Sequence, residues 1–334
     1  MKGIFFTILL LIISTLLIPL LIVTTFELDI PLRDKPIQQQ TIESDLKIKV
    51  LNHKTNEVMD LNLEEYVTNV VAAEVPASFE VETLKAQAVA ARSYALWKMM
   101  RFKDQPNPDH PEADLCTDHN HCQAWLSKEE LREKHNRLWM YSYWPKIQEA
   151  VEETRGIIMT YNMQPVEPLY HSTSGGRTEN SEDVFSTAMP YLKSVSSPYE
   201  ERAPYLIDTK KVSIKEFIKG TKVLNDTVKL KEKDIDSQIK ILDRSAGGSV
   251  KRIEIGGVEF RGSDIRRILG LRSSNFTYDI KGDHITFTTR GYGHGVGMSQ
   301  WGANGMAERG HTYEEILKHY YQGITLSKMK SYQN

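Results

Sequence analysis

The run EYVTNVVAAEVPASFEVETLKAQAVAARSYAL, Glu65 to Leu96, decides how this chain is read. Its first part predicts an apolar helix over about 63–74, ended by Pro76 because the residue before a proline avoids helical geometry. A second helix is predicted over roughly 82–102, with Leu84, Ala88, Ala91, Ala95 and Met99 on one stripe. The first helix therefore stops on a carboxylate, Glu74. The carbonyl end of a helix disfavours negative charge, and Val70, Val71, Ala72, Ala73 and Val75 withhold water from it. Both effects raise its pKa above the value of about 4.3 for a free glutamate. A carboxyl group that keeps its proton near neutral pH suits a general acid acting on a leaving oxygen. Read in isolation, a glutamate in this position is more often a solvated helix end. Lys85 and Arg92, two turns apart on nearly one face of the second helix, are candidates for holding an anionic substrate.

Upstream, Ile4 to Phe26 runs 23 residues without a charge, enough to cross a hydrocarbon core of about 30 Å. It is longer than the apolar core of a signal peptide, and no small-residue exit follows. Residues 1–27 are therefore expected to form an uncleaved membrane anchor, with a cleaved signal as the alternative. Lys2 and the terminal amine place the N-terminus in the cytoplasm and the rest of the chain outside it. Residues 28–45, with Pro31, Pro36 and a glutamine run, have linker composition. Lys and Arg number 42 against 44 Asp and Glu, so no global field recruits nucleic acid. Two cysteines are too few for a disulfide scaffold.

Downstream, Leu46 to Leu51 and a weaker run near Val58 to Leu61 alternate like strands. Ser127 with Glu130 predicts a capping box opening a helix to about Arg137, and Pro145 to Thr154 a further helix. Gly156–Tyr161 and Val166–His171 read as strands around a turn. Lys251–Gly262, turning at Gly256-Gly257, and Phe276–Arg290 read as hairpins. Short helices opened by Ser or Thr are expected at Ser213–Lys219, Ser263–Leu269 and Thr312–Tyr321. The class is α+β: an N-terminal transmembrane helix, then a two-lobed region with a substrate cleft, its smaller, β-rich lobe inserted at about 205–285.

Two glycine-rich segments can bring backbone close to a ligand: HSTSGGRTENSEDVF (His171–Phe185) and RGYGHGVGMSQWGANG (Arg290–Gly305). Ser172, Ser174, His294 and Gln300 are their candidate substrate contacts, with Tyr292 and Trp301 able to stack on sugar rings. Each segment alone also reads as a tight turn with incidental polar residues. Between the helices, His110, Cys116, His121 and Cys122 supply two imidazoles and two thiols, a tetrahedral Zn²⁺ set that closes the coordination shell, with His119 to spare. A Cys116–Cys122 disulfide and free thiols are the competing readings.

The Glu65–Leu96 run, HSTSGGRTENSEDVF and GYGHGVGMSQWGA together resemble the signature segments of the stage II sporulation protein D family of membrane-anchored lytic transglycosylases. The resemblance covers the anchor and most of residues 46–326, leaving 327–334 as a tail. It implies that Glu74 is the catalytic acid/base, with Val75 standing where Met is common in the family. It further implies cleavage of the β-1,4 bond between N-acetylmuramic acid and N-acetylglucosamine, closing a 1,6-anhydro ring, in septal wall remodelling during engulfment. Preference for glycan stripped of stem peptides gives cations a job on the exposed lactyl carboxylate: Arg92 first, with Lys85, and with Tyr191 and Lys193 along the cleft. Structural zinc in some members supports the metal reading, and no cofactor is required for catalysis. An amidase/endopeptidase and a multi-spanning membrane protein are the implied partners. Two other functions compete: a non-catalytic wall-binding module that stimulates an amidase, and a zinc-dependent hydrolase, which four protein ligands disfavour by leaving no open position.

Overall fold

A computed structural model describes residues 46–185 and 187–329. The expected anchor and linker lie outside these residues. Among the described residues no helix is long and apolar enough to cross a membrane.

The fold is mixed α and β. Strands β1 (Lys47–Asn52) and β2 (Glu57–Asn62) form an antiparallel hairpin that runs straight into helix α1 (Leu63–Glu74). Val75 is extended (φ −125°, ψ 151°), as the following proline requires, and the helix ends on Glu74. Helix α2 (Val81–Arg101) follows. It is buried on two sides. Leu84, Ala88, Ala91 and Ala95 enter one apolar cluster with α1 and β1, whereas Ala86, Val89 and Ala90 enter another with Met159, Val296, Met298 and Tyr320. A helix sandwiched this way needs small side chains on both faces, which explains its alanines and why sequence periodicity showed only one stripe.

Strand β3 (Leu115–Cys116) then lies parallel to β1, tying the His/Cys loop to the hairpin. Helix α3 (Lys128–Lys134) opens with the expected capping box of Ser127 and Glu130. It stops early: His135 is extended, and Asn136 accepts a hydrogen bond from the Trp139 amide to start α4 (Arg137–Ser142). Helix α5 (Trp144–Glu153) and β4 (Ile157–Tyr161) complete this part. The expected strand over 166–171 is mostly absent. Only β5 (Gln164–Pro165), against β4, and β6 (Tyr170–His171), in a separate sheet, are strands here, and β4 finds its main partner in the C-terminal strand.

After the short α6 (Ser181–Val184) come β7 (Ile207–Ser213), α7 (Ile214–Leu224), β8 (Ile239–Arg244), β9 (Val250–Ile255), β10 (Val258–Arg261), α8 (Gly262–Leu269), β11 (Phe276–Lys281) and β12 (His284–Arg290). Two three-stranded sheets, ordered β10-β9-β8 and β11-β12-β7, share an apolar cluster drawn from Val212 to Phe287. The β9–β10 turn uses Gly256 and Gly257 at φ 59° and 80°, a conformation open to glycine. Ser213 caps α7 as expected, but α8 opens on Arg261 without a side-chain cap.

The chain closes with β13 (Met298–Ser299), α9 (Gln300–Ala307), α10 (Tyr313–Tyr320) and β14 (Thr325–Lys328), the last running past residue 326. The second glycine-rich segment is thus half loop and half helix. Ser299 accepts a hydrogen bond from the Gly302 amide, which starts α9 despite its glycines.

Candidate functional site

Glu74 sits where three segments meet. The turn behind it is pinned from two sides. Phe79 packs edge-on against Trp301 at 4.8 Å, and the Glu80 amide donates to Asn304 Oδ1 at 2.8 Å. Lys146 of α5 donates to the Ala77 and Phe79 carbonyls. In front, the Ala124 amide donates to Glu74 Oε1 at 2.7 Å. The side chains of Tyr170 and Gln300 also hydrogen-bond to the carboxylate.

Burial raises the pKa of Glu74, and these donors together with His119 only partly offset it. The group is therefore a carboxyl that holds its proton more tightly than a free glutamate, yet its ionised form has partners waiting. That suits a residue that must be acid and then base.

The donors are themselves held. The Tyr66 hydroxyl donates to Gln123 Oε1 at 3.2 Å, and Gln123 Nε2 donates to the Tyr170 hydroxyl at 2.8 Å. Because it accepts from Gln123, the Tyr170 hydroxyl keeps its own proton available for Glu74. Gln300 in turn donates to Gln87 Oε1 at 3.5 Å. Tyr170→Phe removes a donor that favours the ionised carboxylate, so the pKa of Glu74 rises further. The high-pH limb of any reaction using Glu74 as acid is expected to move to higher pH, read from a rate profile.

Gln123 and Ala124 directly follow the His/Cys cluster. Ligand atoms of His110, Cys116, His121 and Cys122 all lie within 4.8 Å of one another. The two cysteines are free thiols, not a disulfide. His110 bonds the Ala113 carbonyl through Nδ1 at 2.8 Å, leaving Nε2 toward Cys122, and His121 turns Nδ1 to the thiols with Nε2 against Asp109 at 3.1 Å. Anchoring the far nitrogen is how metal-ligating imidazoles are oriented. Two soft thiols and two oriented imidazoles fit a tetrahedral zinc ion.

The other sequence candidates are placed elsewhere. Arg92, expected on the substrate, is fully buried. Its Nε donates to Glu64 at 2.9 and 3.0 Å, Nη1 to the Ile157 carbonyl and Nη2 to the Val151 carbonyl, so no donor faces a ligand. Lys85 pairs with Glu82 and Glu153 at 2.7 and 2.6 Å, and Lys193 pairs with Glu182 at 2.7 Å. Ser174 is buried and donates to Glu200, whose carboxylate also collects the amides of Ser174, Gly175 and Gly176 and the hydroxyls of Ser197 and Ser299. That carboxylate shapes the first glycine-rich segment from inside, leaving Ser174 for the fold. Ser172 bonds Thr173 and accepts from the Trp301 amide through its carbonyl. The Tyr191 hydroxyl accepts from the Glu167 amide at 3.1 Å, and its ring lies on Tyr161. His294 accepts from the Val296 amide and faces His171 and Phe185. Burial lowers the pKa of His294 to about 3 and of His171 to about 4, so both rings are neutral. Gln300 alone among the substrate candidates reaches Glu74.

Sequence reading missed Tyr170, Gln123, Gln87 and Glu200, which no local pattern marks. Gly297 left a signal: at φ 74°, a Cβ there would lie 1.9 Å from the Leu169 oxygen, so glycine lets β13 close on β6 and bring Gln300 beside Tyr170.

The molecule is thus a mixed α/β protein built around one helix-terminal carboxyl group with a neighbouring His/Cys clip. The family profile described as "Stage II sporulation protein" matches residues 51–161, which span Glu74 and the clip. The stage II sporulation protein D of Bacillus subtilis (strain 168) is 42% identical over 87% of this chain and 82% of its own length. That of Bacillus amyloliquefaciens is 40% identical over 87% and 81%. The chain belongs to the stage II sporulation protein D family. An amidase enhancer of Bacillus subtilis (strain 168) is 27% identical over 77% of this chain and 40% of its own length.

Proposed function

We propose that this protein is a lytic transglycosylase that cleaves the N-acetylmuramic acid–β-1,4–N-acetylglucosamine bond of peptidoglycan during sporulation. The observation that carries the reading is Glu74: a carboxyl group made more basic by burial, with the Ala124 amide, Tyr170 and Gln300 ready to receive its charge. Protonated, it gives its proton to the glycosidic oxygen as the C1–O bond breaks. Ionised, it takes the proton of the muramyl C6 hydroxyl while that oxygen bonds to C1. The proton count returns to its start, and no water enters the product. The nucleophile belongs to the substrate, so the second carboxylate of ordinary glycosidases is not needed.

A zinc ion held by His110, Cys116, His121 and Cys122 would supply structural closure of the loop, all four positions being protein ligands. That loop delivers the Ala124 amide and Gln123. Chelation is expected to lower the thermal midpoint by several degrees, since saturating a site a thousandfold contributes about 4 kcal/mol. Zinc re-addition restores it, and metal analysis of the purified protein gives one zinc per chain. Absence of bound zinc counts against the clip.

In this reading the N-terminal segment anchors the protein in the cell membrane with residues after 27 outside the cytoplasm, acting on glycan strands. The relative named amidase enhancer favours a second reading, in which the fold binds wall and stimulates an amidase; the multi-spanning partner rests on the family resemblance. Digestion of peptide-free glycan strands followed by mass spectrometry separates these. Anhydro-muramyl ends support transglycosylation, reducing ends indicate hydrolysis, and intact strands with a stimulated amidase support the second reading.

A further inference from the structure

Of the three cations expected on the substrate, Arg92 is buried against Glu64, Lys85 is held between Glu82 and Glu153, and Lys193 forms an exposed pair with Glu182. A different lysine is left. Lys98 is the one lysine buried among the described residues, at 8% exposure. Its ammonium meets no carboxylate ion pair and no hydrogen bond among those residues, and lies 5.8, 6.0 and 5.3 Å from the ring centroids of Tyr94, Trp97 and Phe102. Ring faces attract a cation but do not neutralise its charge. The ammonium itself is not sealed from solvent, so an anion can reach it, and no carboxylate already occupies it.

Its surroundings point to a sugar acid. Glu167 is near enough for Lys98 and Arg101 to act on its charge, yet it forms no ion pair with either and its carboxylate accepts no hydrogen bond among the described residues. The facing pair offers a donor for a carboxylate and an acceptor for an N–H or O–H. The position is set by the chain. Tyr94 lies one turn before Lys98 on α2 and is close enough to Tyr170 to act on it electrostatically, while Tyr170 follows Glu167 by three residues and bonds Glu74. The row Lys98, Tyr94, Tyr170, Glu74 therefore leads from the free cation to the acid. Lys98 also lies near Cys122. A divalent ion on two thiolates and two neutral imidazoles has no net charge, so the clip does not require Lys98 as a counter-ion.

We propose that Lys98 and Glu167 form a muramic-acid subsite beside Glu74, Lys98 taking the free lactyl carboxylate on C3 and Glu167 the amide N–H on C2. The assignment rests on the proposed glycan cleavage and adds the residue that tells a muramyl unit from N-acetylglucosamine, which has no such carboxylate, and bare glycan from peptide-substituted glycan, in which that carboxylate is an amide.

The test measures binding of peptide-free glycan strands, with lactyl carboxylates either free or converted to methylamides, to the full chain in detergent carrying Glu74→Gln. A charge-assisted contact of this kind is expected to give about tenfold tighter binding of the free acid. Lys98→Arg keeps the preference. Lys98→Met, which keeps the stem against the rings, binds both strands equally, at the affinity of the methylamide. Equal binding of the two strands by the Lys98 protein overturns the proposal without any variant, as does a preference that survives Lys98→Met. The readout is binding, so it stands apart from cleavage: a Lys98-dependent preference in a protein that yields no anhydro ends keeps the subsite and removes the transglycosylase reading.

Discussion

Glu74→Gln is expected to reduce glycan cleavage by on the order of 10²–10⁴-fold, the usual contribution of a general acid–base, while leaving the fold as stable as the parent or more so. Glutamine keeps an oxygen for the Ala124 amide but neither gives nor takes a proton. The stability expectation follows from linkage. The pKa of Glu74 is higher in the folded chain than in the unfolded one, so the native state binds the proton more tightly. Its contribution is complete below the ordinary carboxylate range and is lost as pH rises through the raised value. Glutamine cannot ionise and escapes that loss. Product analysis by mass spectrometry and melting curves at acidic and mildly alkaline pH check both halves. Undiminished cleavage by Glu74→Gln removes Glu74 from the chemistry, and a variant that melts early at alkaline pH removes the account of its burial.

The second large effect is on stability alone. Arg92→Ala is expected to destabilise the protein by about 3–5 kcal/mol, because removing one member of a buried pair leaves the other charge uncompensated. Glu64 is fully buried, and its remaining donor is the Gly156 amide at 3.2 Å. The Ile157 and Val151 carbonyls lose a donor at the same time. For a domain of this size that corresponds to a fall in Tm of roughly 10 °C. The double replacement Arg92→Met with Glu64→Leu recovers most of the loss, since deleting both charges removes the desolvation problem. At temperatures where Arg92→Ala is still folded, its KM for peptide-free glycan stays at the parent value. A raised KM in the folded variant returns Arg92 to the substrate.

These two residues also show what was legible. Glu74 was readable because its signals are local: a helix end, a following proline and apolar neighbours within four positions. The same locality made α1, the Ser127 and Thr312 caps and the Gly256-Gly257 turn readable, since each is fixed by bonds between residues a few positions apart. The His/Cys set was readable as a donor inventory. The strand expected over 166–171 failed because its partners are remote: β4 pairs with β14, and β6 with β13. Helix α9 hid inside a glycine-rich string because its start depends on a serine cap and on packing against α2.

By itself, then, the sequence determined the carboxyl group, the helix that ends on it and the residues able to hold a metal. Only the tertiary structure decided which cations are spent and which is left. Arg92 and Lys85 share a helix with Lys98, and nothing in their spacing separates them. What separates them is whether a carboxylate distant in sequence folds against each one: Glu64 reaches Arg92, Glu153 reaches Lys85, and Glu167 stops short of Lys98. A charge is neutralised by whatever lies within a few ångströms of it in space, and that distance is fixed by packing between segments that are far apart in the chain.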